Sequence, residues 1–218
     1  MTAATVLGRR PAVTGAWWWC AAFLAGWAAL LGMVLTSEGL TEDDGPVLRW
    51  LVQHRSSGWT RFFKAVSGTV PDGGAAMLAT ALVAVVALRS RSVRPIGVLV
   101  AAVAGAGLLS VLVKDVVGRA RPATATMLGA PESGPGFPSA HTLVFTALAG
   151  AVALVVWRAT ASAGVRAVSL AGAVVTSGAM GVSRLYLGDH WCTDVLASYA
   201  LAGAVLAAVA ALVRPARG

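Results

Sequence analysis

The sequence has 218 residues, 57% hydrophobic and only 12% charged, with a formal net charge of +8 and a mean hydropathy of +0.77. Soluble domains carry about 25% charged residues, so this composition excludes an ordinary soluble domain and puts the chain among integral membrane proteins. Tracts that bind nucleic acid are clustered and solvated. Here the arginines punctuate apolar runs, so they read as topology signals, and nucleic acid is not expected as a partner.

A membrane span needs about 20 mostly apolar residues. Six segments qualify, roughly 16–36, 73–89, 95–113, 141–157, 164–182 and 194–213, the second and fourth being short. The expected fold is therefore an all-α integral membrane protein with six transmembrane helices, forming a single domain over 1–218. Arg9 and Arg10 precede the first run as in a signal peptide. That run is too long and has no convincing cleavage site, so it reads as an uncleaved span.

A polar stretch with helical character separates the first two spans. Asp43 or Asp44 is suited to cap a helix, with Pro46 near its start, and Val47, Leu48, Leu51 and Val52 then share one side. A second piece from Trp59 to Val66 sets Arg61 and Lys64 beside Phe62 and Phe63, the pattern of an interfacial helical segment. Cys20 and Cys192 fall near opposite membrane faces, out of reach of a disulfide, and no metal-ligand spacing is present.

Charge orients the spans. With the N-terminus inside, Arg9, Arg10, Arg89, Arg91, Arg94, Arg158, Arg166, Arg214 and Arg217 all lie inside, with no acid among them. Every acid, from Glu38 through Asp72 to Asp194, falls on the other side. Lys and Arg set orientation, so both termini are expected in the cytoplasm of a multi-pass plasma-membrane protein.

Three polar clusters then reach the outer face. Lys114 to Arg121-Pro122 follows the third span, Pro138-Ser139-Ala140-His141 opens the fourth, and Ser183-Arg184, His190 and Asp194 separate the fifth from the sixth. Ionisable groups at span ends cost free energy unless paired or functional. Lys114 and Arg121 are seven residues apart, two turns if the helix continues. Arg grips phosphate oxygens in pairs and Lys adds a mobile point charge. Gly136, Pro138 and Ser139 precede a helix whose free N–H groups are expected to point at an anion. His190 and Asp194, four apart, are helical neighbours, so the carboxylate fixes the tautomer and frees the other ring nitrogen as a nucleophile. His141, from another helix, is placed to pass a proton to the leaving oxygen. Singly, each residue has an ordinary structural reading. Their convergence on one membrane face does not.

These residues resemble the type 2 phosphatidic acid phosphatase superfamily, whose pattern is K-x6-RP, PSGH and SR-x5-H-x3-D. The first and third parts match Lys114 to Pro122 and Ser183 to Asp194 in spacing, and the second has Ala140 in place of Gly. The resemblance implies a six-helix membrane phosphatase that needs no metal and no cofactor. By that resemblance His190 is the nucleophile, Asp194 its orienter and His141 the general acid and later base. Lys114, Arg121, Ser139 and Arg184 hold the phosphoryl oxygens, with Ser183 as a supporting contact.

Vanadium haloperoxidases share the pattern but are soluble, which six spans argue against. A lipid-phosphate binder or a transporter is the alternative class. Such a protein keeps the cations but has no need of His141, His190 and Asp194, and no span carries mid-membrane charges to mark a polar pathway. The expected partners are the bilayer and a lipid phosphate or polyprenyl pyrophosphate from it. The loop Ala123–Gly136 is expected to shape the headgroup pocket, and it holds Glu132 but no further cation. The sequence carries no signal for an oligomeric state.

Overall fold

The computed structural model describes residues 12–69, 74–129 and 132–213. Arg9, Arg10, Asp72, Arg214 and Arg217 lie outside them, as does the first residue of the second expected span. The helices are α1 (Ala12–Thr36), α2 (Asp44–Gln53), α3 (Ser57–Gly68), α4 (Gly74–Ser90), α5 (Arg94–Val117), α6 (Ala140–Ala159), α7 (Ala163–Leu187) and α8 (Cys192–Leu212). No strand occurs among the described residues.

Five helices, α1 and α5 to α8, are long and apolar enough to cross a membrane. α4, at 17 residues and about 1.5 Å per residue, is a shorter apolar helix that only just approaches the hydrocarbon thickness and corresponds to the second expected span. The six expected spans are thus the six longest described helices of an all-α membrane protein. Two ends differ from expectation. α5 runs on to Val117 and α7 to Leu187, so Lys114, Ser183 and Arg184 sit on the last turns of membrane helices.

The core is built on four-residue spacing, which stacks side chains along one helix face. α6 presents Leu143, Ala147, Ala151 and Val155, and α8 presents Leu201, Val205 and Val209 against Ala102 and Ala106 of α5. Small residues let these backbones close up, as association within lipid requires. Gly203 shows the need directly, since a Cβ there would lie 2.7 Å from the Phe23 ring of α1. Large apolar side chains such as Leu78, Leu88, Val116 and Val168 point outward, where lipid would cover them.

The connector folds as the two short helices α2 and α3. Leu48 and Phe63 are buried, and Phe63 packs its ring 4.7 Å from that of Tyr186 at the end of α7. The Tyr186 hydroxyl accepts the Ser56 backbone N–H at 2.9 Å, and Arg55 donates to the Tyr186 carbonyl at 3.0 Å from Nε. These bonds strap the connector across the end of the bundle where the three polar clusters emerge.

The expected cap of α2 is corrected. Asp43 is the cap residue but its side chain makes no capping bond. The Asp44 carboxylate turns away and accepts the Thr193 backbone N–H at 2.9 Å and its hydroxyl at 2.6 Å. A free N–H at the first turn of α8 is a stronger claim on a carboxylate than its own helix offers, because the bond also buries the charge beside Arg119.

Candidate active site

The clusters meet at the junction of the α5 and α7 C-termini with the α6 and α8 N-termini. Lys114 is on the last turn of α5, which Gly118 ends in the left-handed conformation (φ 61°) with its N–H on the Lys114 carbonyl. Arg121 is therefore not a helical neighbour of Lys114. The two approach because the chain turns back after Gly118, and Lys114 Nζ donates to the Pro135 carbonyl at 2.5 Å.

His190 and Asp194 meet, but across a helix start and not along a helix. Trp191 is the N-cap of α8 and Asp194 its third residue. The Asp194 carboxylate accepts the Trp191 N–H at 3.0 Å on Oδ2, and the same oxygen lies 3.3 Å from His190 Nδ1. Both side chains are buried. The other ring nitrogen, Nε2, is 3.0 Å from Arg121 Nη1. A guanidinium only donates, so Nε2 carries the lone pair and Nδ1 the proton. Burial pushes the His190 imidazole from 6.5 down to about 4, against the opposing pull of Asp194. The ring is neutral at physiological pH.

Arg121 is the cation in contact with that lone pair. Arg121 Nη1 also donates to the Asp189 carbonyl at 3.0 Å. Arg184, 3% exposed, pairs with Asp189 at 2.9 Å, donates to the Ser67 hydroxyl of α3 and contacts Glu132. Its Nε is buried and has no acceptor among the described residues. A buried donor without an acceptor is costly, and an incoming anionic oxygen would satisfy it.

Glu132 lies among these basic groups. Its carboxylate pairs with Arg184, lies 2.9 Å from Arg121 and 3.9 Å from His141 Nδ1. Burial works against its ionisation, but Arg184 and Arg121 outweigh that and hold the carboxyl below its ordinary value. A cavity of about 340 Å³ opens here, lined by Glu132, His141, Arg184 and Asp189, with Lys64 and Ser67 from α3.

Two expectations fit less well. Ser139 is buried at the N-cap of α6, where its hydroxyl accepts from Thr142 Oγ1 at 3.0 Å. The backbone N–H groups expected to face an anion are taken: Gly136 donates to the Arg119 carbonyl at 2.7 Å and Ser139 to that of Asp194 at 3.5 Å. Ser183 donates its hydroxyl back to the Met180 carbonyl at 2.6 Å, so its proton is not offered to the site.

Sequence reasoning missed Arg119, whose Nη1 reaches Asp194 at 2.5 Å and whose Nη2 reaches Asp44 at 2.7 Å. It also missed Asp189 and Ser67 as partners of Arg184. A second arginine two residues before Arg121, at a span end rich in carboxylates, was the available signal.

Comparison with known proteins identifies the family and the fold. The sequence model of the PAP2 superfamily matches residues 95–217, a stretch that includes all three clusters. The crystal structure of a transmembrane PAP2-type phosphatidylglycerolphosphate phosphatase from Bacillus subtilis superposes with a TM-score of 0.78 at 20% identity, covering 87% of this chain and 93% of that one. At that identity the likeness establishes the fold. No curated protein matches the sequence. The chain belongs to the PAP2 superfamily and is a membrane-spanning, all-helical phosphatase of that family.

Proposed function

We propose that the chain hydrolyses a lipid phosphate or polyprenyl pyrophosphate at the extracytoplasmic face, without a metal, through a phosphohistidine intermediate. The observation that carries this reading is His190, with Nδ1 on Asp194 and the Nε2 lone pair turned to Arg121. Nε2 attacks phosphorus, and the bond from phosphorus to the lipid oxygen breaks as His141, which enters the step as an imidazolium that takes up its proton alongside the anionic substrate, gives that oxygen a proton. The now neutral His141 takes a proton from water, the resulting hydroxide attacks phosphorus, and the N–P bond breaks to free phosphate. Arg121, Arg184 and Lys114 stabilise the charge on the equatorial oxygens, the main task in phosphoryl transfer. Ser139 has a smaller part, because its hydroxyl is shared with Thr142.

The side assignment rests on charge. Arg89, Arg91, Arg94, Arg158 and Arg166 lie at the helix ends remote from His190, and the positive side of such a protein is cytoplasmic. The site then faces outward, and six crossings bring both termini inside. The single domain spans the whole bundle, since α1 packs on α8 through Phe23 and Gly203.

The loop before α6 adds no cation, but α3 does. Lys64 lines the same cavity as Arg184 and is available to a second phosphate of a pyrophosphate. Phosphate release by purified protein with chelator present, from phosphatidic acid, phosphatidylglycerol phosphate and a polyprenyl pyrophosphate, tests the reading. Chelator-resistant release is expected, with the pyrophosphate most affected by Lys64→Gln. No release from any of the three by folded protein would refute the proposal.

A further inference from the structure

A second cavity, of about 450 Å³, lies at the opposite end of the bundle, between the α4–α5 turn, the α6 C-terminus and the start of α7. Arg94, Arg158 and Arg166 line it above an apolar wall that includes Val86, Val98 and Trp157. We propose that it binds the phosphate headgroup of an anionic phospholipid from the leaflet opposite the active site, with the acyl chains leaving along the apolar wall.

Three observations lead there. The first is uncompensated charge. None of the three arginines makes an ion pair among the described residues, where every side-chain carboxylate lies at the active-site end. The second is placement against the helix dipole. Arg94 is the first residue of α5 and Arg166 the fourth of α7, the positive ends of both helices, where a cation is disfavoured and an anion favoured. The third is preorganisation. Arg158 Nη2 donates to the Ala210 carbonyl at 2.9 Å. Arg166 Nε donates to the Thr160 carbonyl at 3.0 Å, and its guanidinium stacks on Trp157 at 5.1 Å. These bonds fix both groups while their remaining N–H donors have no acceptor among the described residues.

The positive-inside tendency accounts for basic residues on one side, but not for three of them converging on one cavity with an apolar wall. Basic pockets between membrane helices suit anionic headgroups. Binding there does not depend on the chemistry at His190.

The test is lipid binding by the purified full-length protein in detergent, followed by native mass spectrometry. Separate arms contain phosphatidylglycerol, phosphatidylcholine and inorganic phosphate. Phosphatidylglycerol is expected to be retained over both. Arg94 makes no side-chain hydrogen bond in the described structure, so Arg94→Gln leaves the packing intact. It should weaken phosphatidylglycerol binding about fivefold, the worth of one basic residue near an anionic lipid, and Arg94→Gln with Arg166→Gln should weaken it further. Arg61→Gln, on α3 at the far face, should leave it unchanged. Equal retention of phosphatidylcholine, unaltered binding in Arg94→Gln, or inorganic phosphate bound as tightly as the lipid would each overturn the proposal.

Discussion

Arg119 Nη1 meets Asp194 Oδ1 at 2.5 Å, on the carboxylate oxygen that His190 does not use. Asp194 is thereby held at both oxygens. Arg119 is in turn held by Asp44, 2.7 Å from Nη2, and Asp44 also ties down the first turn of α8 through Thr193. The connector between the first two membrane helices thus fixes the orientation of the imidazole through two carboxylates and one guanidinium.

Arg119 is accordingly a positioning residue. Partners that orient a metal-ligating histidine from behind are worth about 10- to 100-fold; Arg119 plays the same orienting part for His190 through Asp194, so Arg119→Gln is expected to lower kcat by that order with KM little changed. Without the guanidinium, the pull of Asp194 on His190 meets less opposition, so the acid limb of the pH profile should move to higher pH. Arg119→Lys should recover part of kcat. A loss of folded protein with an unshifted pH profile would show a merely structural role.

The low affinity of buried His190 for a proton has a consequence for stability. Its folded value is about 4, against 6.5 for the free group. Between these values the unfolded chain binds a proton that the folded chain does not. Its contribution is therefore present in full above about pH 6.5 and lost as pH falls toward about 4. Thermal unfolding in detergent should show a falling midpoint across that window, and His190→Gln should lack that component. An identical pH dependence in the two proteins would contradict the assignment.

Glu132 and the phosphoryl group compete for Arg121 and Arg184. Substrate entry requires the carboxylate to leave, and removing its charge should ease that step. Glu132→Gln is expected to lower KM and tighten inhibition by inorganic phosphate by about tenfold, the order set by the lower end of one charge-assisted bond of about 1.5–3 kcal/mol. Steady-state kinetics with phosphate as inhibitor checks it. Weaker phosphate inhibition in the variant would mean that Glu132 helps to build the site.

Much of this was legible in the sequence. The spans were readable because about 20 apolar residues in a row have few other uses, and the site residues because charges at span ends require a reason. What failed was local geometry. The seven-residue spacing of Lys114 and Arg121 suits one helix face only if the helix continues, and Gly118 in the left-handed region ends it. The four-residue spacing of His190 and Asp194 suits neighbours on one helix, yet Trp191 caps α8 between them. Asp43 and Asp44 are both suited to cap α2, but neither side chain does, and Asp44 serves α8 instead. The same residue types support either partner, and only the tertiary fold decides between them. Arg119 went unnoticed for the same reason, since its role depends on an aspartate 75 residues away.

The covalent step is the centre of the account. The most direct test is rapid acid-free quenching of purified protein with a lipid substrate labelled in its terminal phosphate, in chelator, followed by mapping of the labelled site. The account predicts an alkali-stable, acid-labile phosphate on His190 that forms and decays within turnover and is absent from His190→Ala, which should be inactive. Turnover retained by His190→Ala, or label found on another residue, would contradict it.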